Sequence, residues 1–329
     1  MGAKVCHVLR PVELARSLPR LRPVLESPLH RKDINAQLCL GLIVQKNFGP
    51  LYFPHFNPNV FVSHDPGAIG YSVLGPVVLS FVQWLMAQAM SDDVQRLYFL
   101  AREGEFLKKV YDRWLSLDEL TAGPPSRYLI VSRRVMTVAV ISSFEDIISI
   151  ASVTYYPNRV DSFLKERYGV EMEDTEWDAI YAEMGWRRDR LVEVKDGKTD
   201  HLQPLLKVMA ERIIAQSQDE RPGLRAYLKQ EQLMEEGKFA VVDVGYSATI
   251  QDRLNRFLDC PVHGYYMATN RFAEAVSLQH QVDVHGCFAH YSALGPDAPA
   301  ILARSFCLEK LLSSDDAQIV NYRVEQGGG

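Results

Sequence analysis

Cysteine is scarce in this chain and poorly spaced for structural use. Cys6, Cys39, Cys260, Cys287 and Cys307 are odd in number and include no Cys-x-x-Cys pair. A disulfide framework and a zinc ribbon are therefore disfavoured, and a reducing compartment is expected. Long basic runs are missing and the formal net charge is -5, so binding to nucleic acid through counterion release is not expected. The N-terminus lacks the charged-then-apolar layout of a secretory leader. The most apolar stretch, Tyr71 to Met90, is interrupted by Gly75-Pro76, Gln83 and Gln88, and reads as a buried helix rather than a membrane span. Internal repeats and low-complexity segments are also absent. At 329 residues, with 47% hydrophobic and 23% charged, the chain has room for one large or two modest hydrophobic cores.

What the sequence does contain is a recurring junction between strand and helix. Phe239 to Val242 is a short apolar run, Asp243 stands where such a strand ends, and Ser247 and Thr249 are expected to cap a helix from Ile250 to Leu258. An anion placed at that turn meets free backbone N–H groups and the positive end of a helix dipole. Leu97 to Leu100, Ala101-Arg102-Glu103-Gly104 and Glu105 to Leu115 repeat the pattern of strand, turn and helix. A third strand, Tyr128 to Val131, runs into Ser132-Arg133-Arg134. In parallel α/β sheets ligands bind beyond the carboxyl ends of the strands, so these three loops are expected to converge on one crevice.

Around this frame, residues 18 to 35 are rich in Pro and Arg and read as a linker, while Leu51 to Pro66, with three prolines, should be extended rather than helical. Between Phe144 and Glu236 the pattern is helical with no strand alternation: Glu145 to Ala151, Val160 to Tyr168, Glu176 to Met184, and a run from His201 to Glu235 broken at Pro222-Gly223. This segment reads as a helical insertion covering the sheet's carboxyl edge. Val262 to Ala268 supplies another strand and Ala300 to Leu312 another helix.

The loops resemble the pyrophosphate loop and phosphoribosyl-binding loop of type I phosphoribosyltransferases. More narrowly, Gly-Tyr-Ser-Val-Leu-Gly-Pro, Leu-Tyr-Phe-Leu-Ala-Arg-Glu-Gly and Val-Asp-Val-Gly-Tyr-Ser-Ala-Thr-Ile-Gln are similar to phrases in bacterial glycan phosphoribosyltransferases. Those proteins are often fused behind a haloacid dehalogenase-type phosphatase in polysaccharide biosynthesis. The resemblance covers residues 65 to 325, with its sharp motifs confined to three short windows. It implies an α/β fold with a mostly parallel sheet of the phosphoribosyltransferase kind. It also implies four segments: 1–35, the tail of a phosphatase-like domain and a linker; 36–143, carrying the pyrophosphate loop; 144–236, a helical hood; and 237–325, carrying the 5-phosphate loop.

The implied reaction moves a 5-phosphoribosyl group from phosphoribosyl pyrophosphate to a sugar hydroxyl of a bacterial O-antigen or capsule glycan. A partner phosphatase would then leave ribofuranose. The acceptor is expected to be lipid-linked, which places the chain in the cytoplasm at the inner membrane face without a span of its own. Carried onto this sequence, Ala101 to Gly104 wrap the pyrophosphate and Arg102 adds a charge-assisted contact. Arg133 or Arg134 neutralises the leaving pyrophosphate, Ser247, Ala248 and Thr249 cradle the 5-phosphate, and Ser132, Gly245 and Tyr246 are further expected to contact the substrate. Asp243 holds the ribose hydroxyls or, indirectly, Mg²⁺, and Glu103 shares the acid–base work with it. The family's wider pattern has a second acid after Asp243, where this chain has Val244.

Other features have plainer readings. His280, His285 and His290 lack a metal-ligand motif, and the interleaved Val282 and Val284 favour a strand. Tyr265-Tyr266, Trp177 and Trp186 read as packing, and Arg304 and Glu309 as rim residues. A non-catalytic phosphate- or glycan-binding module is the alternative. A haloacid dehalogenase-type phosphatase is disfavoured because no Asp-x-Asp pair follows a strand.

Overall fold

The computed structural model describes residues 10–49, 66–117 and 122–323. The chain divides into two compact units, 1–83 and 84–329, a division that falls inside a helix rather than near residue 35. The first unit contains α1 (Pro11–Ser17), α2 (Arg22–Leu25), α3 (Pro28–Arg31), α4 (Ile34–Phe48) and α5 (Pro66–Ile69), then a wide turn at Gly70–Leu74 and the start of α6 (Gly75–Ser91). The expected linker over 18–35 is thus partly helical. Pro at the first or second position of α1 and α2 is compatible with helix, because those N–H groups have no intrahelical partner. Ala15, Leu18, Val44 and Phe48 form this unit's small core. The expectation of an extended segment over 51–66, like those for the termini, falls almost wholly outside the described residues.

The helical stretch Pro66–Ser91 is, among the described residues, the one long and apolar enough to cross a membrane by length and composition, with only 28% of that window buried. Phe81, Val82, Leu85 and Ala89 are buried, whereas Tyr71, Val73, Leu79 and Met90 are exposed. The expectation of a buried helix therefore holds for one side only.

The second unit is built on a five-stranded parallel sheet. Its elements in order are β1 (Arg96–Leu100), α7 (Gly104–Leu115), β2 (Ser126–Leu129), α8 (Arg133–Ala139), α9 (Phe144–Ala151), β3 (Tyr155–Arg159), α10 (Val160–Tyr168), α11 (Asp174–Met184), β4 (Leu191–Val194) and α12 (Gln203–Gln230). There follow β5 (Phe239–Asp243), α13 (Thr249–Leu258), β6 (Val262–Asn270), α14 (Arg271–His280), β7 (Val284–Ser292), α15 (Ala300–Ala303) and α16 (Ser305–Leu312). The sheet order is β2-β1-β5-β6-β7, every neighbouring pair parallel. Leu97, Tyr98, Phe99 and Leu100 are all fully buried, as are Ala240, Val241 and Val242, because helices cover both faces of such a sheet. The fold class is accordingly α/β with a mostly parallel sheet and many helices.

The insertion departs from its purely helical reading. Tyr155–Arg159 and Leu191–Val194 pair as an antiparallel two-stranded sheet. These strands are too short to show alternation, and the first contains Pro157 at an edge where no N–H is needed. With α9 to α12 they enclose a separate core of Phe163, Leu164, Tyr168, Trp177, Val192, Leu205 and Ile213.

Pro222-Gly223 does not break α12, which runs on to Gln230. Tertiary contacts hold the helix across the proline. Arg221 donates to the carbonyls of Ala139 and Ile141 at 2.8 and 2.6 Å, and Glu220 pairs with Arg134 at 2.8 Å. A Cβ at Gly223 would lie 2.2 Å from the Tyr322 carbonyl oxygen, so the glycine admits the C-terminal segment against the helix.

The Arg134–Glu220 pair is nearly enclosed, its side chains 12% and 6% exposed. Removing one partner leaves a buried charge unmatched, at a cost of about 3 kcal/mol or more. Arg134→Met should therefore lower stability by about 3 kcal/mol, and the Arg134→Met/Glu220→Leu double variant should recover most of that in urea titration. Equal losses in both variants would mean the pair does not secure α8 to α12.

Candidate functional site

From β1 the chain steps outward to β2, then returns through the insertion to β5 on the opposite side of β1, and continues to β6 and β7. Leaving the insertion's strands aside, this is the doubly wound order 2-1-3-4-5, in which the loops after adjacent first and third strands part in opposite directions and open a crevice. Here those loops are Ala101–Glu103 and Val244–Ala248.

Two adjoining chambers occupy that position. The larger, of about 520 Å³, is lined by Ala101, Arg102 and Glu103 after β1, by Ser132, Arg133 and Arg134 after β2, and by Asp243 to Gly245 after β5. The smaller, of about 130 Å³, is lined by Gly245 to Ile250 with Tyr266 and Asn270. Arg133, Asp243, Gly245, Ile250 and Glu309 belong to both.

The β5 loop is shaped to expose its backbone. Gly245 has φ 149°, and a Cβ there would sit 2.5 Å from the Ala268 carbonyl oxygen. Ala248 is left-handed with φ 55° and is the N-cap of α13, without a side-chain cap. The expected hydroxyl caps are thus not made; Ser247 Oγ instead accepts from Asn270 Nδ2 at 2.9 Å. Among the described residues, no acceptor engages the backbone N–H groups of Ser247, Ala248, Thr249 and Ile250. Four consecutive free donors at the start of a ten-residue helix form a strong anion-binding surface.

After β1, Gly104 lines neither chamber. It is buried, and a Cβ would lie 2.8 Å from the Phe99 carbonyl carbon, so glycine lets α7 begin directly over its strand. The N–H groups of Glu103 and Gly104 have no acceptor among the described residues, and α7 carries no side-chain cap. The Ala101–Arg102 and Gly245–Tyr246 peptide bonds are cis.

The charged groups differ in how far they are already engaged. Arg134 is committed to Glu220 and to the Val320 carbonyl, which makes it a structural cation at the cavity wall. Ser132 is spent as well: its hydroxyl caps α8, accepting from Val135 N at 3.1 Å, and donates to the Ile319 carbonyl at 2.9 Å. Arg102 and Arg133 are exposed, and no hydrogen bond or ion pair holds either guanidinium among the described residues. Arg167 of the insertion joins them at the larger chamber, its guanidinium over the Tyr155 ring at 5.2 Å.

Five carboxyl groups line the chambers with these cations, and three of them, Glu103, Asp243 and Glu309, are electrostatically linked to one another. Glu103 Oε1 accepts from Ser313 Oγ at 2.6 Å and Oε2 from Arg102 N at 3.1 Å. Asp243 is half-buried and accepts from Val244 N at 2.8 Å. Burial, and next Glu103, push its carboxyl up to about 8, with Glu309 acting in the same direction against Val244 N–H and Arg133. Glu309 is raised by burial and then by Glu103, opposed by Arg133.

Nearly all the residues singled out from sequence thus line the paired chambers, Gly104 being the exception. Glu309, read from sequence only as a rim residue, joins them, and Arg167, Glu166, Tyr155 and the segment Asp316 to Ile319 were missed. His280 stands apart, paired with Asp252 at 2.7 Å, whereas His285 and His290 stack with ring centroids 6.2 Å apart, and His285 lies near Asp92 and Asp283 at the amino edge of the sheet. Those last three form, among the described residues, the one His/Cys/Asp/Glu group whose ligand atoms lie within 4.8 Å of one another, so the cleft carboxylates do not converge that closely.

No protein-family model matches the chain, and no curated protein matches it significantly.

The Asp243 carboxyl has a stability consequence. Its folded value of about 8 exceeds the ordinary 3.8, so the folded protein binds the proton more tightly than the unfolded chain. Stability from this group is complete below about pH 4 and is lost as pH rises through 8. Asp243→Asn should remove that decline, raising stability near pH 8 by about 1 to 3 kcal/mol relative to wild type and by much less near pH 4. Parallel pH profiles of unfolding for the two proteins would contradict the assignment.

Proposed function

We propose that the chain is a pentosyltransferase that moves a 5-phosphoribosyl group from phosphoribosyl pyrophosphate to a sugar hydroxyl of a bacterial glycan. The observation that carries this reading is the pair of adjoining chambers, each with its own free backbone donors and with Asp243 and Arg133 at their junction. A donor with a phosphate at one end and a pyrophosphate at the other has the polarity such a site accepts.

In this reading, Ser247 to Ile250 hold the 5-phosphate through backbone N–H groups, at no cost in bound side-chain rotamers. The Glu103 N–H group, with Arg102 and Arg133, stabilises the pyrophosphate. Cleaving the anomeric C–O bond develops positive charge on the ribose and negative charge on the departing oxygen. Preorganised donors aimed at that oxygen are the main source of acceleration. Asp243, at the junction, orients the ribose hydroxyls.

The hard oxygen ligands of Asp243 and Glu103 fit Mg²⁺, which keeps several waters and binds through one or two carboxylates plus substrate phosphates. When bound, Mg²⁺ would supply charge neutralisation on the pyrophosphate oxygens. The acceptor is proposed to be lipid-linked, which would bring the protein to the cytoplasmic face of the membrane, where a haloacid dehalogenase-type phosphatase would remove the 5-phosphate.

A second reading, a non-catalytic phosphate- or glycan-binding module, draws support from Val244 in place of a second acid and from an Asp243 carboxyl that holds its proton at neutral pH.

Incubating the protein with phosphoribosyl pyrophosphate, Mg²⁺ and a panel of short glycans should yield acceptors heavier by one phosphopentose, with release of pyrophosphate. Asp243→Asn should abolish transfer while leaving the fold intact. Donor binding with no pyrophosphate release from any glycan would favour the binding module, and full activity of Asp243→Asn would refute its assigned role.

A further inference from the structure

Resting on that reading, we infer that Glu309 is the general base that takes the proton from the acceptor hydroxyl. It replaces, from a distant helix, the acid that the β5 loop lacks after Asp243.

Geometry carries the assignment. The anomeric carbon of a donor held by both loops lies between its 5-phosphate and its pyrophosphate, and therefore where the chambers meet. Among the described residues, only three ionisable side chains line both chambers: Arg133, Asp243 and Glu309. Arg133 is a cation suited to the leaving group. Asp243 sits at the strand tip with its carboxylate turned onto its own loop, accepting from Val244 N. Glu103 reaches the larger chamber alone, and both its oxygens are engaged, by Ser313 Oγ and Arg102 N. Glu309 stands on the central turns of α16, half-buried, and no hydrogen bond or ion pair occupies its carboxylate among the described residues. Of the acids facing the junction it alone has both oxygens open to an incoming hydroxyl.

Its surroundings suit the task. Burial, and next Glu103 on the β1 side, disfavour its anion, while Arg133 of α8 favours it. Tyr246, the remaining titratable neighbour, stays protonated through burial. A carboxylate more basic than usual accepts a proton more readily.

The step balances. A lone pair of the acceptor oxygen forms the new bond to the anomeric carbon, and the C–O bond to pyrophosphate breaks with its electron pair on the departing oxygen. The acceptor's proton passes to a Glu309 carboxylate oxygen and later to solvent. No oxidant or further reactant is required.

The test compares wild type, Glu309→Gln and Glu309→Asp. It measures Mg²⁺-dependent binding of phosphoribosyl pyrophosphate by calorimetry, and transfer to a glycan acceptor across pH. Glu309→Gln should bind donor within about threefold of wild type, lose about 100-fold or more in kcat, and lose the acidic limb of the pH profile; Glu309→Asp should regain part of the rate and the limb. Unchanged kcat in Glu309→Gln, or a loss confined to donor affinity, would overturn the base assignment and leave the transferase reading standing. Wild type that binds no donor would overturn both.

Discussion

Between β1 and β5 the sheet changes its direction of winding, and two helices begin side by side with their first N–H groups unclaimed. Everything else about the site follows from that arrangement. Backbone donors at the start of a helix keep their hydrogen-bonding demand until something meets it, and side-chain caps usually do. Here the loop after β5 ends in left-handed Ala248, and that after β1 has no capping hydroxyl, so the demand is directed into a cavity. An anion satisfies it at little entropic cost, because the donors are already fixed by the sheet.

That preorganisation is paid for locally in charge. Asp243, Glu103 and Glu309 lie close enough to raise the proton affinity of two of the three, with Arg133 as the opposing cation. A protonated Asp243 is a natural result of its burial, reinforced by the like charge of Glu103 nearby. Bringing in a polyanionic donor with a divalent cation changes that balance, since the cation favours the ionised carboxylate. On the proposed function, the site is in this sense tuned for a charged pair rather than for a bare anion.

Much of this was legible in the sequence because it is local. Apolar runs at Leu97 to Leu100 and Phe239 to Val242, followed by small and charged residues, mark buried parallel strands and their exits, and β1 and β5 lie there. The loops they feed line the crevice. What escaped depends on tertiary contact. Nothing near Glu309 in the chain points to the β5 loop 66 residues earlier; only the return of α16 over the sheet edge joins them. Arg134 reads as a free cation until Glu220, on α12, is seen to claim it. Pro222-Gly223 reads as a break, yet the helix persists because its neighbours are tied down on both sides and the glycine makes room for Tyr322. Gly104 reads as a ligand-contacting glycine, whereas its reason is the close approach of α7 to Phe99.

The central claim is that two separate backbone cradles receive the two ends of one substrate. Amide chemical shifts, followed while ribose 5-phosphate and pyrophosphate are titrated with Mg²⁺ separately and then together, test it most directly. The account predicts that ribose 5-phosphate moves the amides of Ser247 to Ile250, that pyrophosphate moves those of Arg102 to Gly104, and that both sets saturate at once. Competition of the two ligands for a single set of amides, or no response at either loop, would contradict it.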